Sequence, residues 1–263
     1  MQNEYENTLG SERTVEKVDI VIQGGIWGNH TYETAVQYSE LSFVNQVIVS
    51  TWKGEEKNID TTDDRLQFVF SEPPTEDGGG NINYQIISSR EGIKLCTSLF
   101  CVKMRSDQQI PNSEMERMHS FYNDHKVDKE IFVLGMGTHF PYHPQDHVFW
   151  GETSELTKLF DIPLSNWESY KTNVNFNTNM RAPIYIGALY YARYSQVAEK
   201  HANNFHEYLL DSSPKREEAF EEYFRIKDKY FKSFPRIKMN WHKYRQGYPY
   251  AFYYDQGERY HDE

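Results

Sequence analysis

The feature that most constrains the fold of this chain is a mostly apolar run rich in β-branched residues, Val18–Gln23, which stops at a pair of glycines. Its composition is that of a buried strand. Helix-like sequence follows over Thr31–Phe43, and a second apolar run spans Gln46–Trp52. A strand, a glycine-containing turn, a helix and a second strand are the opening of a parallel βαβ unit. Ligands of such sheets bind outside the carboxyl ends of the strands, near the point where strand order reverses. Three strand-end segments should therefore converge on one crevice: 23–29, 50–53 and 105–108.

Strand-like and helix-like segments alternate through the first half of the chain and give way to helices beyond Pro163. Further strands are predicted at Leu66–Phe70, Cys101–Met104, Glu130–Leu134 and Asp146–Trp150. Helices are predicted over Ile82–Leu99, Met115–Asn123, Thr153–Phe160 (capped by Thr153) and Pro214–Phe231, with another starting near Pro183. This order predicts an α/β sheet flanked by helices, with a helical C-terminal region.

The 263 residues suit one large domain. We expect a polar N-terminal lead-in at 1–16 and an α/β catalytic region at 17–164. A mainly helical region at 165–254 would complete the domain, and an acidic tail would follow at 255–263.

Charge and cysteine content exclude several classes of protein. The net charge of −11 argues against a general nucleic-acid binder, because such proteins need a positive surface to displace counterions. The two cysteines match no zinc spacing and give no disulfide framework, which favours a reducing cytoplasm. The chain has no run of about 18 apolar residues and starts with no signal-peptide pattern. We expect a soluble cytoplasmic protein, attached at most peripherally to the inner membrane.

A basic and aromatic stretch spans Phe231–Tyr254, with five Lys or Arg residues, nine aromatic residues and no acidic residue. Such a composition suits the anionic surface of a cytoplasmic membrane leaflet. A helix that packs on the core and has a basic outer face explains the same pattern. The sequence leaves both interpretations open.

The glycines after the first strand, Gly24, Gly25 and Gly28, lack the G-x-G-x-x-G spacing of a dinucleotide site. The second strand also ends in Ser50-Thr51-Trp52 rather than in an acidic residue, which argues against a Rossmann cofactor site. Small residues at this point would still let a nucleotide approach the backbone closely. Trp52 offers a face on which a base can stack.

The run Arg105-Ser106-Asp107 ends the strand at Cys101–Met104. A transferase that uses nucleotide-sugars must neutralise a diphosphate leaving group. It does so with a divalent cation held by a carboxylate, or with Arg, Lys and helix N-termini. Asp107 is the one candidate ligand for Mg²⁺ or Mn²⁺ in this run, since arginine stands where a D-x-D motif has its first carboxylate. A charged strand end in contact with water is the alternative.

Asp146 starts the aromatic strand near the middle of the chain and is a candidate general base for an acceptor hydroxyl. A turn or capping role explains it equally well. On the helix before the Arg-Ser-Asp strand, Gln85 and Arg90 are candidates to bind a base or phosphate. They also suit the solvated face of a covering helix.

Four stretches together resemble the WavE-type family of lipopolysaccharide and capsular polysaccharide biosynthesis glycosyltransferases. They are "VDIVIQGGIW", "FVNQVIVSTWKGE", "NINYQIISSREGIKLC" with "VKMRSDQ", and "DHVFWGETSELTKLFDIPL". The resemblance covers about residues 17–200. It implies a GT-A-like nucleotide-sugar-binding sheet and a nucleotide-sugar as the donor substrate.

The resemblance also implies roles for particular positions. Donor-site roles fall on Gln23, Thr51, Asn83, Gln85, Arg90, Arg105 and Asp107, and Trp52 is added to the candidate donor site for its stacking face. Asp146 would lie in the reaction centre, with Glu152 as a less favoured base. Trp150 and Gly151 would shape the sugar or acceptor pocket. Because Arg105 departs from the general GT-A pattern of two acidic residues, metal dependence stays open.

The resulting hypothesis is a glycosyltransferase that moves a sugar from a nucleotide-activated donor to a surface glycan or lipid-linked oligosaccharide. One rival is a transferase of another activated group, such as a nucleotidyl or phosphoglycan-modifying enzyme on a similar fold. A second rival, from a different class, is a non-catalytic scaffold of a glycan assembly complex.

Overall fold

The computed structural model describes residues 16–137, 140–166, 182–203, 214–241, 252–255 and 258–261. The helices of these residues are α1 (Asn29–Ser39), α2 (Ile82–Ile93), α3 (Asn112–His125), α4 (Thr153–Phe160), α5 (Ala182–Tyr191), α6 (Gln196–Asn203) and α7 (Pro214–Tyr230). The strands are β1 (Val18–Gln23), β2 (Val44–Trp52), β3 (Leu66–Ser71), β4 (Phe100–Arg105), β5 (Gln108–Gln109), β6 (Ile131–Val133), β7 (Val148–Glu152), β8 (Phe231–Ser233), β9 (Ile237–Trp241), β10 (Phe252–Asp255) and β11 (Glu258–His261).

Seven of these strands form the main sheet, in the order β3-β2-β1-β4-β7-β6-β8. Strands β1 to β4 are parallel, whereas β7 runs antiparallel to β4 and to β6. A smaller sheet has the order β11-β10-β9-β5. The predicted α/β sheet with flanking helices is confirmed. The strand order reverses at β1, whose neighbours are β2 on one side and β4 on the other.

Strand β1 is buried along its whole length, which explains why its sequence is a nearly continuous apolar run. Its one acidic residue, Asp19, accepts hydrogen bonds from the backbone N–H groups of Thr97 (2.5 Å) and Ser98 (2.9 Å). Asn45 and Gln46 donate to the same carboxylate. Burial by itself raises the pKa of Asp19, but these hydrogen bonds hold it below its ordinary value. Asp19 therefore has a structural role at the amino end of the sheet.

Apolar side chains cover both faces of the main sheet and form two cores. One core lies under α2, α4 and α5 and includes Phe149 and Phe160. The other lies under α1 and α3 and includes Phe43, Tyr122 and Trp150. Adjacent residues of one strand thus enter different cores, because successive side chains of a strand point to opposite faces.

Two local predictions need correction. The helix predicted over Ile82–Leu99 ends at Ile93, before the short connection to β4. Thr153 does not cap α4: it is the first residue of that helix, and its hydroxyl donates to the Ser98 carbonyl at 2.8 Å. Thr153 therefore ties α4 to the segment that precedes β4.

The C-terminal region is helical as predicted from Ala182 to Tyr230 within the described residues, but strands follow. Strand β8 pairs in parallel with β6, and β9 pairs with β5. Strand β11, Glu258–His261, lies where an acidic tail was predicted. A strand forms at Phe231–Ser233 because a paired edge of the main sheet is available there, which local sequence does not reveal.

The buried apolar residues of the predicted basic and aromatic stretch belong to the protein core. Phe231, Phe234, Ile237 and Met239 are all fully or almost fully buried. These four side chains cannot contact a membrane surface, and the predicted packing on the core is correct for them although the helix is not. Residues 242–251 of the stretch lie outside the described residues, as do 1–15 of the predicted lead-in. In the part of the chain that the structure describes, no helix is long and apolar enough to cross a bilayer.

Candidate active site

The three predicted strand-end segments meet at the carboxyl edge of the main sheet. Gln23 at the end of β1 is in register with Ser50 of β2 and with Arg105 of β4. The Gly24 N–H donates to the Ser50 carbonyl at 3.0 Å, and the Ser106 N–H donates to the Gln23 carbonyl at 2.9 Å. The predicted convergence is confirmed, and it lies at the reversal of strand order, where ligands of α/β sheets bind.

The turn after β1 packs tightly on the end of β4. Gly24 has a φ of +122°, and a Cβ atom at this position would lie 2.7 Å from the Ser106 hydroxyl oxygen. That hydroxyl donates to the Gly25 carbonyl at 2.7 Å. Only glycine meets both conditions, because it has no side chain and tolerates a positive φ.

Arg105 lies between two carboxylates at this edge. Its Nε and Nη2 atoms donate to the two Asp107 carboxylate oxygens at 2.9 and 2.8 Å, which makes a bidentate pair. Its Nη1 atom donates to Asp146 Oδ2 at 3.3 Å. Asp146 reaches Arg105 because β7 runs antiparallel to β4, with Val148 in register with Met104. The structure therefore brings together two predicted donor residues and the predicted base.

Lys103 lies beneath this cluster and is fully buried. Its ammonium donates to the Asp146 backbone carbonyl at 2.9 Å and lies over the Phe149 and Phe160 rings. In the amide orientation that satisfies both neighbours, the Gln85 nitrogen donates to Asp146 Oδ2 at 2.9 Å. The Gln85 oxygen then accepts from Lys103 Nζ at 3.2 Å. Gln85 thus binds the Asp146 carboxylate, and Lys103 binds the Asp146 backbone.

The charge state of the cluster follows from burial and from its cations. Burial raises the pKa of Asp146, but Arg105, and then His147 and Lys103, hold it below its ordinary value. Burial lowers the pKa of Lys103 to about 7. Burial likewise lowers the pKa of His147 to about 3, so that its imidazole is neutral at neutral pH. Asp146 is thus an ionised carboxylate beside a permanently charged guanidinium.

The lowered pKa of Lys103 predicts a pH dependence of stability. Because the folded-state pKa is about 7 and that of an unfolded lysine is about 10.4, the unfolded chain binds more protons between these values. The free energy of unfolding should therefore rise with pH across this window, by at most about 1.4 kcal/mol per pH unit from this residue. Urea unfolding of the wild type and of Lys103→Met between pH 6.5 and 9.5 measures it. Equal slopes for the two proteins would contradict a buried lysine with a low pKa.

Gln23, Thr51 and Trp52 lie around the same edge. The Gln23 side-chain oxygen accepts from the Ser88 hydroxyl of α2 at 2.6 Å. The Thr51 hydroxyl donates to Glu55, whose carboxylate also accepts the Ile26 N–H. Glu55 therefore ties the turn after β1 to the end of β2.

Trp52 is half-buried and makes an edge contact with Tyr84, with ring centroids 4.9 Å apart. The two rings belong to the end of β2 and the first turn of α2. They form an aromatic wall beside the strand ends.

Asn83 and Arg90 have backbone partners elsewhere. The Asn83 side chain donates to the carbonyls of Glu76 and Ser165, both at 3.0 Å, and accepts the Ser165 N–H at 2.7 Å. Arg90 donates to the carbonyls of Phe160 and Ile162, at and just beyond the end of α4. Both side chains fix segments that surround α2, and their predicted donor roles stay predictions.

Three other predicted site residues lie away from the Arg105 cluster. Trp150 is fully buried on the opposite face of the sheet from Lys103, with its ring centroid 5.6 Å from that of Tyr122. Gly151 packs against the backbone of Glu130. Glu152 is in register with Phe100 at the start of β4, whereas Asp146 lies beyond its end. The structure does not bring these three residues together with Asp146.

The segment that carries Asp146 is held by the C-terminal helices. Gly187 of α5 lies so close to the Tyr142 carbonyl that a side chain at this position would overlap it. The Tyr223 hydroxyl of α7 donates to the Gly137 carbonyl at 2.9 Å. Helices distant in sequence thus position the candidate base.

Lys103 and Glu55 are the site residues that sequence reasoning missed. The sequence pattern predicts Lys103 only as part of the strand Cys101–Met104. Lys103 and Arg105 are two residues apart, however, and point to one face of β4. A lysine and an arginine with that spacing in a buried strand are a usable signal for a charged site. Glu55 follows a turn, and nothing in its local pattern distinguishes it from the neighbouring Glu56.

A divalent cation fits these residues poorly. Both Asp107 oxygens are paired with Arg105, and Asp146 Oδ2 is paired with Arg105 and Gln85. Within the described ranges, no group of three His, Cys, Asp or Glu side chains is placed to hold a metal ion. Mg²⁺ and Mn²⁺ take several oxygen ligands. The Mg²⁺ or Mn²⁺ site at Asp107 stays a prediction.

A known family matches most of the chain. The family described as WavE lipopolysaccharide synthesis matches residues 19–202. Among curated proteins, no relative matches the sequence.

Three solved structures that resemble this chain are distant from it in sequence. A 4-diphosphocytidyl-2C-methyl-D-erythritol synthase from Anaerococcus prevotii is 9% identical, with a TM-score of 0.39 over 61% of this chain and 78% of that chain. A CMP:2-keto-3-deoxy-manno-octonic acid synthetase complexed with CTP is 11% identical, with a TM-score of 0.38 over 60% of this chain and 82% of that chain. S. aureus TarS 1-349 in complex with UDP-GlcNAc is 16% identical, with a TM-score of 0.32 over 46% of this chain and 34% of that chain. Likenesses this distant support no inference about activity.

Proposed function

This chain belongs to the WavE lipopolysaccharide-synthesis family, and from that membership we propose that it is a glycosyltransferase that acts on bacterial surface glycans. Its donor would be a nucleotide-sugar, and its acceptor a lipopolysaccharide or capsule glycan. The observation that carries this proposal is the cluster of Arg105, Asp107 and Asp146 where the strand order reverses. It places a guanidinium, which can bind a diphosphate, next to a carboxylate, which can accept a proton, at one edge of the sheet.

In the proposed reaction, the acceptor hydroxyl gives its proton to the Asp146 carboxylate as its oxygen attacks the anomeric carbon of the donor sugar. The bond from that carbon to the diphosphate oxygen breaks, and the nucleoside diphosphate leaves with the electron pair. Arg105 stabilises the negative charge that develops on the leaving group. Trp52 and Tyr84 would hold the nucleoside base.

Arg105 links the departure of the diphosphate to the proton transfer to Asp146. In the protein without a donor, the guanidinium keeps the pKa of Asp146 low, which makes the carboxylate a weak base. A diphosphate that attracts the guanidinium would weaken its hold on Asp146 and raise that pKa. The base would then gain strength when the donor is in place.

A panel of ligands tests the proposal by thermal unfolding. At a concentration of about 100 times Kd, a bound nucleotide-sugar stabilises the folded protein by about 2.7 kcal/mol. For a chain of this size, that should raise Tm by roughly 5–10 °C. Stabilisation by CTP or UTP, but by no nucleotide-sugar, would favour the nucleotidyltransferase instead.

A scaffold without catalytic activity makes a different prediction. If the protein only assembles other enzymes, Asp107→Asn and Asp146→Asn should leave surface-glycan synthesis intact in cells. Loss of synthesis with folded variants would exclude the scaffold. Cytoplasmic location and contact with an anionic membrane stay predictions, and co-sedimentation with anionic liposomes measures the latter.

A further inference from the structure

Arg105 is the positively charged side chain between the two carboxylates of the site. Its exposure relative to theirs determines which side chain an anionic ligand would contact. Its side chain is 21% exposed, whereas those of Asp107 and Asp146 are 10% and 13% exposed. Of these three side chains, Arg105 therefore has the largest exposed fraction that a ligand could contact. Guanidinium groups bind phosphate oxygens with the same forked geometry that they use for carboxylates.

A divalent ion at Asp107 would have to displace this guanidinium. Both carboxylate oxygens are already engaged in the bidentate pair. The same guanidinium also donates from its Nη1 atom to Asp146, so its displacement would disturb both carboxylates. A metal ion here would leave two cations side by side with few carboxylates to balance them, and Lys103 adds a third basic group below.

The backbone beside Arg105 forms a tight turn of small residues. Gln23, its register partner on β1, leads directly into the Gly24-Gly25 turn. Ser106, the next residue after Arg105, fixes that turn through the Gly25 carbonyl. The Glu55 carboxylate also lies at this turn, where it accepts the Ile26 N–H, so a diphosphate bound to the guanidinium would meet small residues and one carboxylate here.

We propose that the site binds the diphosphate of a nucleoside diphosphate directly through Arg105, with no divalent cation between protein and ligand. This inference rests on the proposed function and specifies how its donor is held. It assigns Asp107 the role of positioning the guanidinium rather than that of a metal ligand. It also explains why arginine precedes the carboxylate at this strand end.

Binding of UDP, CDP, GDP and ADP to the full-length protein, measured by isothermal titration calorimetry, tests the inference. We expect at least one of them to bind with a Kd that differs by less than about threefold between excess EDTA and millimolar Mg²⁺ or Mn²⁺. Arg105→Met should weaken that binding by at least about 30-fold. Arg105→Lys, which keeps the charge and folds if Arg105→Met does not, should weaken it by about tenfold because it loses the fork.

Asp107→Asn separates the two explanations. If Asp107 only positions Arg105, the variant should keep binding in EDTA within about fivefold, because one competing negative charge is removed while the shape is kept. If Asp107 is a metal ligand, the variant should lose binding in Mg²⁺ or Mn²⁺. Circular dichroism of each variant establishes that it is folded.

Three results would overturn the inference. Binding that requires Mg²⁺ or Mn²⁺ and disappears in Asp107→Asn would restore the metal site and leave the glycosyltransferase proposal standing. Metal-free binding that neither Arg105 variant weakens would place the diphosphate elsewhere. The absence of binding to every nucleoside diphosphate and nucleotide-sugar, with or without metal, would contradict both this inference and the proposed function.

Discussion

Asp146→Asn should lower the rate of sugar transfer by about 10²–10⁴-fold, the usual contribution of a general base. Asparagine keeps the shape of the side chain but cannot take a proton. Arg105 retains its bidentate pair with Asp107, so the site should stay assembled. The measurement is kcat from release of the nucleoside diphosphate, with donor Kd as the second readout. Donor Kd should not rise, because asparagine removes a carboxylate that competes with the diphosphate for Arg105.

Glu152→Gln is the matched comparison for this experiment. Glu152 lies at the other end of β7, in register with the first residue of β4. Its replacement should therefore leave kcat within about twofold. A folded Asp146→Asn protein with wild-type kcat would contradict Asp146 as the general base. A large loss of kcat in Glu152→Gln alone would favour Glu152 as the base instead.

Trp150→Ala should destabilise the protein by about 3–5 kcal/mol, the usual cost of truncating a large buried aromatic side chain. The indole is fully buried and packs on Phe43, Tyr122 and Phe234. Because its Nε1–H has no hydrogen-bond partner among the described residues, Trp150→Phe should cost much less. Equilibrium urea unfolding of the three proteins measures both differences.

The same variants test the acceptor-pocket role that sequence resemblance implies for Trp150. A pocket residue would change the acceptor KM in Trp150→Phe and leave the free energy of unfolding almost unchanged in Trp150→Ala. A residue of the core would do the reverse. The location of Trp150 under α1 and α3 leads us to expect the second result.

Local sequence was sufficient for the parts of the fold that depend on neighbouring residues. The β1–α1–β2 unit and the loop before α2 follow from runs of apolar residues, glycines and turn residues that act within a few positions. The position of Arg105 and Asp107 at a strand end, two residues apart, also follows from this local pattern. Their pairing required only that the chain turn at Ser106.

Contacts between distant segments could not be predicted in the same way. Phe231–Ser233 forms a strand because β6 offers it a partner edge, although its own residues suit either structure. Trp150 and Phe149 share one apolar run, but the alternation of the strand sends them into different cores. A resemblance that matches residues by position cannot show whether Phe149 or Trp150 points toward the active site.

The sequence by itself determined an α/β sheet, the meeting of strand ends at its carboxyl edge, and a guanidinium and a carboxylate at one of those ends. Only the tertiary structure decided that Asp146 shares Arg105 with Asp107, and that Lys103 and Gln85 support Asp146 from below. The physical reason is the antiparallel pairing of β7 with β4, which brings residues 41 positions apart to the same edge of the sheet. No local propensity encodes such a pairing, since it depends on which strand edge is left open once the rest of the sheet has formed.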